Sequence, residues 1–155
     1  MMTEKLYEEI GVDMKNEMEL VFDAVSSNES FARTAVAAFV SPLNPTLEEL
    51  ADIKTAVSEA VTNAIVHAYP DDIGTIWLKA RILEGDKLEI VVKDKGRGIA
   101  DLKQAMEPLF TTGGEDRSGM GFTIMESFTD CLKVRSGPGK GTTVTMVRRI
   151  RRRRG

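Results

Sequence analysis

Apolar positions change period several times along this chain, and the changes divide it into elements. Leu50, Ile53, Val57, Ala60, Val61 and Ala64 recur three and four residues apart. That is the spacing of a buried stripe on a helix. Thr46-Leu47-Glu48-Glu49 stands just ahead of it and has the T-x-x-E form of a capping box, in which hydroxyl and carboxylate each accept from a backbone N–H. Pro70 and Asp71-Asp72 end the helix. Residues 74–83 (GTIWLKARIL) and 87–93 (KLEIVVK) read as two strands joined by a hairpin turn at Glu84-Gly85-Asp86. Residues 17–25 (EMELVFDAV) alternate in part and predict an earlier strand. Ser27 and Asn28 are capping candidates for a helix through FARTAVAAFV, which Pro42 and Pro45 interrupt. Residues 101–107 predict a short helix, followed by a loop at 108–118 (PLFTTGGEDRS) and a helix from near Gly119 through FTIMESF. Strands at 131–136 and 142–149 close the chain around the turn Gly137-Pro138-Gly139-Lys140-Gly141.

Strands joined by tight turns pair antiparallel. Helices between strand pairs cover one face of the sheet. The order therefore predicts an α+β fold, a two-layer α/β sandwich with a mixed, mostly antiparallel sheet.

Composition narrows the picture. The 155 residues suffice for one domain with a core, with 42% hydrophobic and 29% charged residues. No apolar run nears the roughly 18–20 residues that span a bilayer, and the N-terminus lacks the apolar stretch of a secretory signal. A single cysteine, Cys131, excludes an internal disulfide framework. These features favour the cytoplasm. Charge is uneven. The net is −3, yet residues 148–155 (RRIRRRRG) hold six arginines, so the first 147 residues carry −9. An acidic body argues against general nucleic-acid binding. The arginine run could still meet nucleic acid or an acidic partner, and a solvated, frayed terminus is the blander reading.

Four clusters carry candidate chemistry. Glu59, Asn63 and His67 lie at i, i+4 and i+8 on one helix face. An Asn oxygen with phosphate oxygens and waters is a sufficient ligand set for Mg²⁺, although such a trio is also a common solvated helix edge. Asp94-Lys95-Gly96-Arg97-Gly98 follows a strand. Gly96 and Gly98 allow a sharp turn and a close approach to a flat ligand, and Asp94 can accept from an exocyclic amine; an ordinary Asp/Gly turn fits as well. Ser118-Gly119-Met120-Gly121 opens a helix, where backbone N–H groups favour phosphate, and Arg117 just before it can meet a terminal phosphate. Gly141-Thr142-Thr143 opens the last strand with hydroxyls.

In this order the four clusters resemble the nucleotide-binding pattern of the gyrase, Hsp90, histidine kinase and MutL ATPase superfamily, whose fold is the Bergerat-type ATP-binding sandwich. The chain is too short for the multidomain members, and His67, its only histidine, lies inside the nucleotide helix rather than on a separate phosphoacceptor helix. SSNESFARTAVAAFV, DIKTAVSEAVTNAIVHAY, EPLFTT and RSGMGFTIMESF are similar to the anti-sigma F factors of endospore formers, over roughly residues 14–147. Residues 1–13 then form an extension and 148–155 a basic tail.

The resemblance implies an ATP-dependent serine protein kinase using ATP/ADP and Mg²⁺. It implies that Asp94, Gly96, Gly98 and Thr143 hold the adenine end, and that Asn63 coordinates Mg²⁺. Thr111, Ser118, Gly119, Met120 and Gly121 would contact the nucleotide, Arg117 would meet the γ-phosphate, and Glu59 would act as the base toward a serine hydroxyl. The implied partners are a sigma factor of the sigma F type, an anti-anti-sigma STAS protein as substrate, and a second copy in a homodimer. Glu29 and Arg33 would dock the partners. The related anti-sigma B kinases and a nucleotide-holding anti-sigma factor without kinase activity are the alternatives.

Overall fold

The computed structural model describes residues 14–106 and 118–151. Strand β1 (Met14–Asp23) leads to helix α1 (Ser27–Val40), and a 3₁₀ turn (Ser41–Leu43) precedes helix α2 (Leu47–Asn63). α2 runs on into a π-helical turn (Ala64–Ala68). β2 (Thr75–Leu83) and β3 (Lys87–Asp94) follow, then a short α3 (Leu102–Ala105), α4 (Ser118–Ser127), β4 (Cys131–Ser136) and β5 (Thr142–Arg149).

The five strands form one sheet in the order β1-β2-β3-β5-β4. Every neighbouring pair is antiparallel, so the mixed sheet expected from the sequence is antiparallel throughout. Alternation decides what each strand buries. Ile76, Leu78, Ala80 and Ile82 of β2, Leu88, Ile90 and Val92 of β3, and Val144 and Met146 of β5 are all buried. They face the stripe Ile53, Ala56, Val57, Ala60 and Val61 of α2, continued by Ala64 of the π-helical turn.

The capping box is present as expected. Glu49 N donates to Thr46 Oγ1 at 3.0 Å, and Thr46 N donates to Glu49 Oε1 at 2.9 Å. The expected cap of α1 is not. Ser27 and Asn28 lie inside that helix, Ser26 is the cap residue without a side-chain bond, and Asn28 Nδ2 instead donates to the Asp23 carbonyl at 2.8 Å. The first strand also ends two residues earlier than predicted, because Ala24 and Val25 turn the chain, with Ala24 N donating to the Gly74 carbonyl at 2.8 Å.

The arginine run needs a larger correction. Its first four residues are held to the body. β5 extends through Arg149, Ile150 is buried and its N–H donates to the Asp86 carbonyl at 2.9 Å. Arg151 N donates to Glu49 Oε2 at 2.8 Å. Strand alternation explains why: Val144, Met146, Arg148 and Ile150 share the inward parity. Residues 1–13 and 152–155 lie outside the described residues.

Candidate functional site

A cavity of about 520 Å³ opens beside the C-terminal half of α2, a size that suits a small-molecule site. Its apolar wall includes Ala60, Ala64, Val92, Ile99, Phe122 and Val144, and its polar groups are Asn63, His67, Asp94, Arg97, Asp101 and Thr142. The π-helical turn at Ala64–Ala68 forms part of the wall. Such turns widen a helix locally and are frequent at functional sites.

Asp94 ends β3 and is only 5% exposed. Its Oδ1 accepts from Gly96 N at 2.9 Å and from Thr142 N at 3.1 Å. Both bonds fall on one oxygen, which leaves Oδ2 for a ligand. Burial pushes the carboxyl above the ordinary aspartate range, partly offset by those two N–H donors. A buried carboxylate in an apolar cavity is a costly arrangement, and a ligand donor that meets Oδ2 would lower the cost.

The loop after Asp94 is fixed from three sides. Arg97 N donates to the Ala68 carbonyl at 3.1 Å. Lys95 N donates to the Tyr69 hydroxyl at 2.7 Å, which in turn donates to the Thr75 carbonyl at 2.8 Å. Ile99 N donates to Ser136 Oγ at 2.8 Å, and that oxygen lies 2.8 Å from Thr142 Oγ1. The two glycines serve this packing. A side chain at Gly96 would strike the Ala68 carbonyl, and Gly98 holds φ +75° against the Gly137 carbonyl. Gly98 lines the cavity and Gly96 does not, so Gly96 shapes the loop from behind.

At the other end Asn63 faces α4. A Cβ placed on Gly121 would stand 3.1 Å from both Oδ1 and Nδ2 of Asn63. Ser118, Gly119 and Met120 form the first turn of that helix, while their side chains, with Thr111 and Arg117, lie outside the described residues. Glu59 sits one turn before Asn63 on α2 and is half-buried; it is not among the residues lining the cavity. Among the described residues no group of three or more His, Cys, Asp or Glu side chains could hold a metal ion.

Thr143 is displaced from its expected place. It pairs with Lys93 on β5 and has the outward parity, whereas Thr142, opposite Asp94, lines the cavity. The inward run Val144, Met146 carries that signal back to Thr142. Ser136 and Tyr69, which hold the loop, have no comparable mark in the sequence. Glu29 and Arg33 lie far along the chain from the cavity residues, on α1, and form an i, i+4 ion pair at 3.4 Å, with the Arg33 side chain 43% exposed.

The family model of the histidine kinase-like ATPase domain matches residues 24–148. The anti-sigma F factor of Caldanaerobacter subterraneus subsp. tengcongensis is 58% identical over 144 residues, covering 92% of this chain and 100% of that one. That of Anoxybacillus flavithermus is 51% identical, covering 88% and 94%. Among solved structures, the RsbU and RsbW domains of a Mycobacterium tuberculosis protein align with a TM-score of 0.67 and 21% identity, over 90% of this chain and 34% of that one. The mycobacterial sensor histidine kinase MprB aligns at 0.54 and 16% identity, over 85% and 100%. At such identities the structural likeness speaks for the fold, and the sequence relatives speak for the family. The chain belongs to the histidine kinase-like ATPase domain family and, within it, to the anti-sigma F factors.

Proposed function

We propose that this chain is an anti-sigma factor that binds a sporulation sigma factor and, with ATP and Mg²⁺, phosphorylates an anti-anti-sigma STAS protein on serine. The observation that carries the nucleotide part is the buried Asp94 carboxylate at one end of an apolar cavity whose other end holds Asn63 beside Gly121. An adenine amine suits Oδ2 of Asp94, the apolar wall suits a flat base, and the opening of α4 suits phosphates.

The residues fit such a ligand, and their roles follow from their chemistry. Asp94 accepts from the base and Thr142 supports Asp94 through its N–H. Asn63 offers one oxygen to Mg²⁺, whose remaining positions suit waters and phosphate oxygens. Gly119 and Gly121 leave the helix start open, and Arg117 supplies positive charge. Bound ATP would provide the phosphoryl group and Mg²⁺ would neutralise its charge. Glu59, one turn from Asn63, orients the partner's serine hydroxyl and accepts its proton. Glu29 and Arg33 belong to the surface that meets both protein partners, and two copies of the chain form the working unit.

The test is transfer of label from γ-labelled ATP with Mg²⁺ to the anti-anti-sigma protein of the same organism, with Asn63→Ala as control. Label on a partner serine, lost in the variant, is the expected result. Tight nucleotide binding without transfer would leave an anti-sigma factor that only holds nucleotide.

A further inference from the structure

We propose that Arg148 is a positioning residue for the phosphate end of the cavity: it bridges α2 and α4 and so keeps Gly121 against Asn63. The proposal rests on the nucleotide reading above and adds a role for a residue of the arginine run.

The bridge uses one nitrogen. Nη1 of Arg148 stands 3.0 Å from Asp52 Oδ2 on α2 and donates to the Phe128 carbonyl at 2.9 Å. Phe128 directly follows α4 and its N–H still donates to the Ile124 carbonyl at 3.1 Å. Its own carbonyl is one of those a helix end leaves without a partner, and a cation is favoured there. The Arg148 and Asp52 side chains are 20% and 17% exposed, so solvent screens the contact less than a surface pair.

The guanidinium projects from a fixed base. Arg148 pairs with Leu88 on β3, Arg149 N donates to Asp130 Oδ2 at 2.7 Å, and the Ile150 and Arg151 N–H groups are both bonded. The sheet therefore sets where the bridge stands.

Asp52 and Asn63 are eleven residues apart on α2, about 16 Å along the axis, and Phe128, just past the end of α4, is seven residues from Gly121, about 10 Å. The two helices pack on each other with Asn63 and Gly121 meeting at the cavity end and Asp52 and Phe128 joined at the far end. A shift of α4 along α2 would move Gly121 past Asn63. Asp94 and Thr142 belong to the sheet and bond each other directly, so the base end of the cavity does not depend on the bridge.

That separation gives a readout that general destabilisation does not produce. Adenosine probes the base end alone, and ADP with Mg²⁺ probes both ends. By calorimetry, Arg148→Gln should weaken ADP·Mg²⁺ about tenfold while changing adenosine less than about twofold, in the range that coupling through packed elements delivers. Arg148→Lys should fall between, since an ammonium keeps the charge but sits on a flexible stem that does not fix one nitrogen between the two partners. Asp52→Asn removes one leg only and should show the same selective loss, which keeps the test decisive if Arg148→Gln does not fold. A parallel loss of both ligands, or unchanged ADP·Mg²⁺ binding, would overturn the bridge while leaving the nucleotide reading intact. A parent chain that binds neither ligand would overturn the nucleotide reading and the bridge with it.

Discussion

Gly121 approaches Asn63 so closely that one added methyl group would stand 3.1 Å from both Asn63 Oδ1 and Nδ2. Alanine suits a helix interior better than glycine by roughly 0.5–1 kcal/mol, so stability and function should separate here. Gly121→Ala is expected to melt close to the parent temperature, the helix gain offsetting the displacement of Asn63. Its phosphoryl transfer should fall about tenfold, because Asn63 must give way by a few tenths of an ångström. Melting followed by circular dichroism and labelled transfer measured on the same preparation check both halves.

Asp94 should report its burial through pH. Its carboxyl is raised, so the charged form costs stability at neutral pH, and that cost fades as pH falls through the raised value. Binding runs the opposite way, since the protonated acid no longer accepts the base's amine with full strength. Adenosine, which has no phosphate to titrate, should bind more weakly as pH drops through that region. Asp94→Asn should remove this dependence and weaken adenosine about 10- to 100-fold at neutral pH. A flat pH profile for the parent chain would count against the assignment.

Thr142 and Thr143 should behave differently although they are neighbours. Thr142→Val keeps the N–H that supports Asp94 but loses the hydroxyl that, with Ser136 Oγ, helps hold the loop after Asp94, and should weaken adenosine by up to about fivefold, since no more than one ordinary hydrogen bond is at stake. Thr143→Val, on the outer face, should stay within about twofold, as surface changes do. Titration of both variants with adenosine separates the two residues.

Glu49 ties the start of α2 to the end of the chain. Its burial works to raise the carboxyl, but donors from Thr46 and Arg151 and the charge of Arg148 outweigh it and hold the group below its ordinary range. A depressed carboxyl stabilises the fold above its unfolded pKa and loses that contribution as pH falls through the folded value. Glu49→Gln should therefore cost about 1–2 kcal/mol at pH 7. The gap to the parent should close in acid, as urea titrations across pH would record.

Much of the layout is local and was legible in the order of residues. The stripe from Ile53 to Ala64 requires a helix buried on one side. The T-x-x-E box starts it, because hydroxyl and carboxylate answer backbone N–H groups only three residues away. The hairpin at Glu84-Gly85-Asp86 follows from alternation on both sides, and Gly85 and Asp86 do take positive φ. Asp94 and Asn63 could be singled out because their surrounding motifs are short and contiguous.

Long-range pairing could not be read that way. Asp94 meets Thr142 across 48 positions because β3 and β5 are neighbours in the sheet, and that register, not the dipeptide, selects Thr142 over Thr143. The sequence by itself determined the elements, the family and most of the cavity's motifs, since periodicity and caps act within a few residues. Only the tertiary structure decided that Arg148 turns inward to α2 and α4: charge composition favours solvent for such a run, while strand parity and two partners distant in the chain hold it inside.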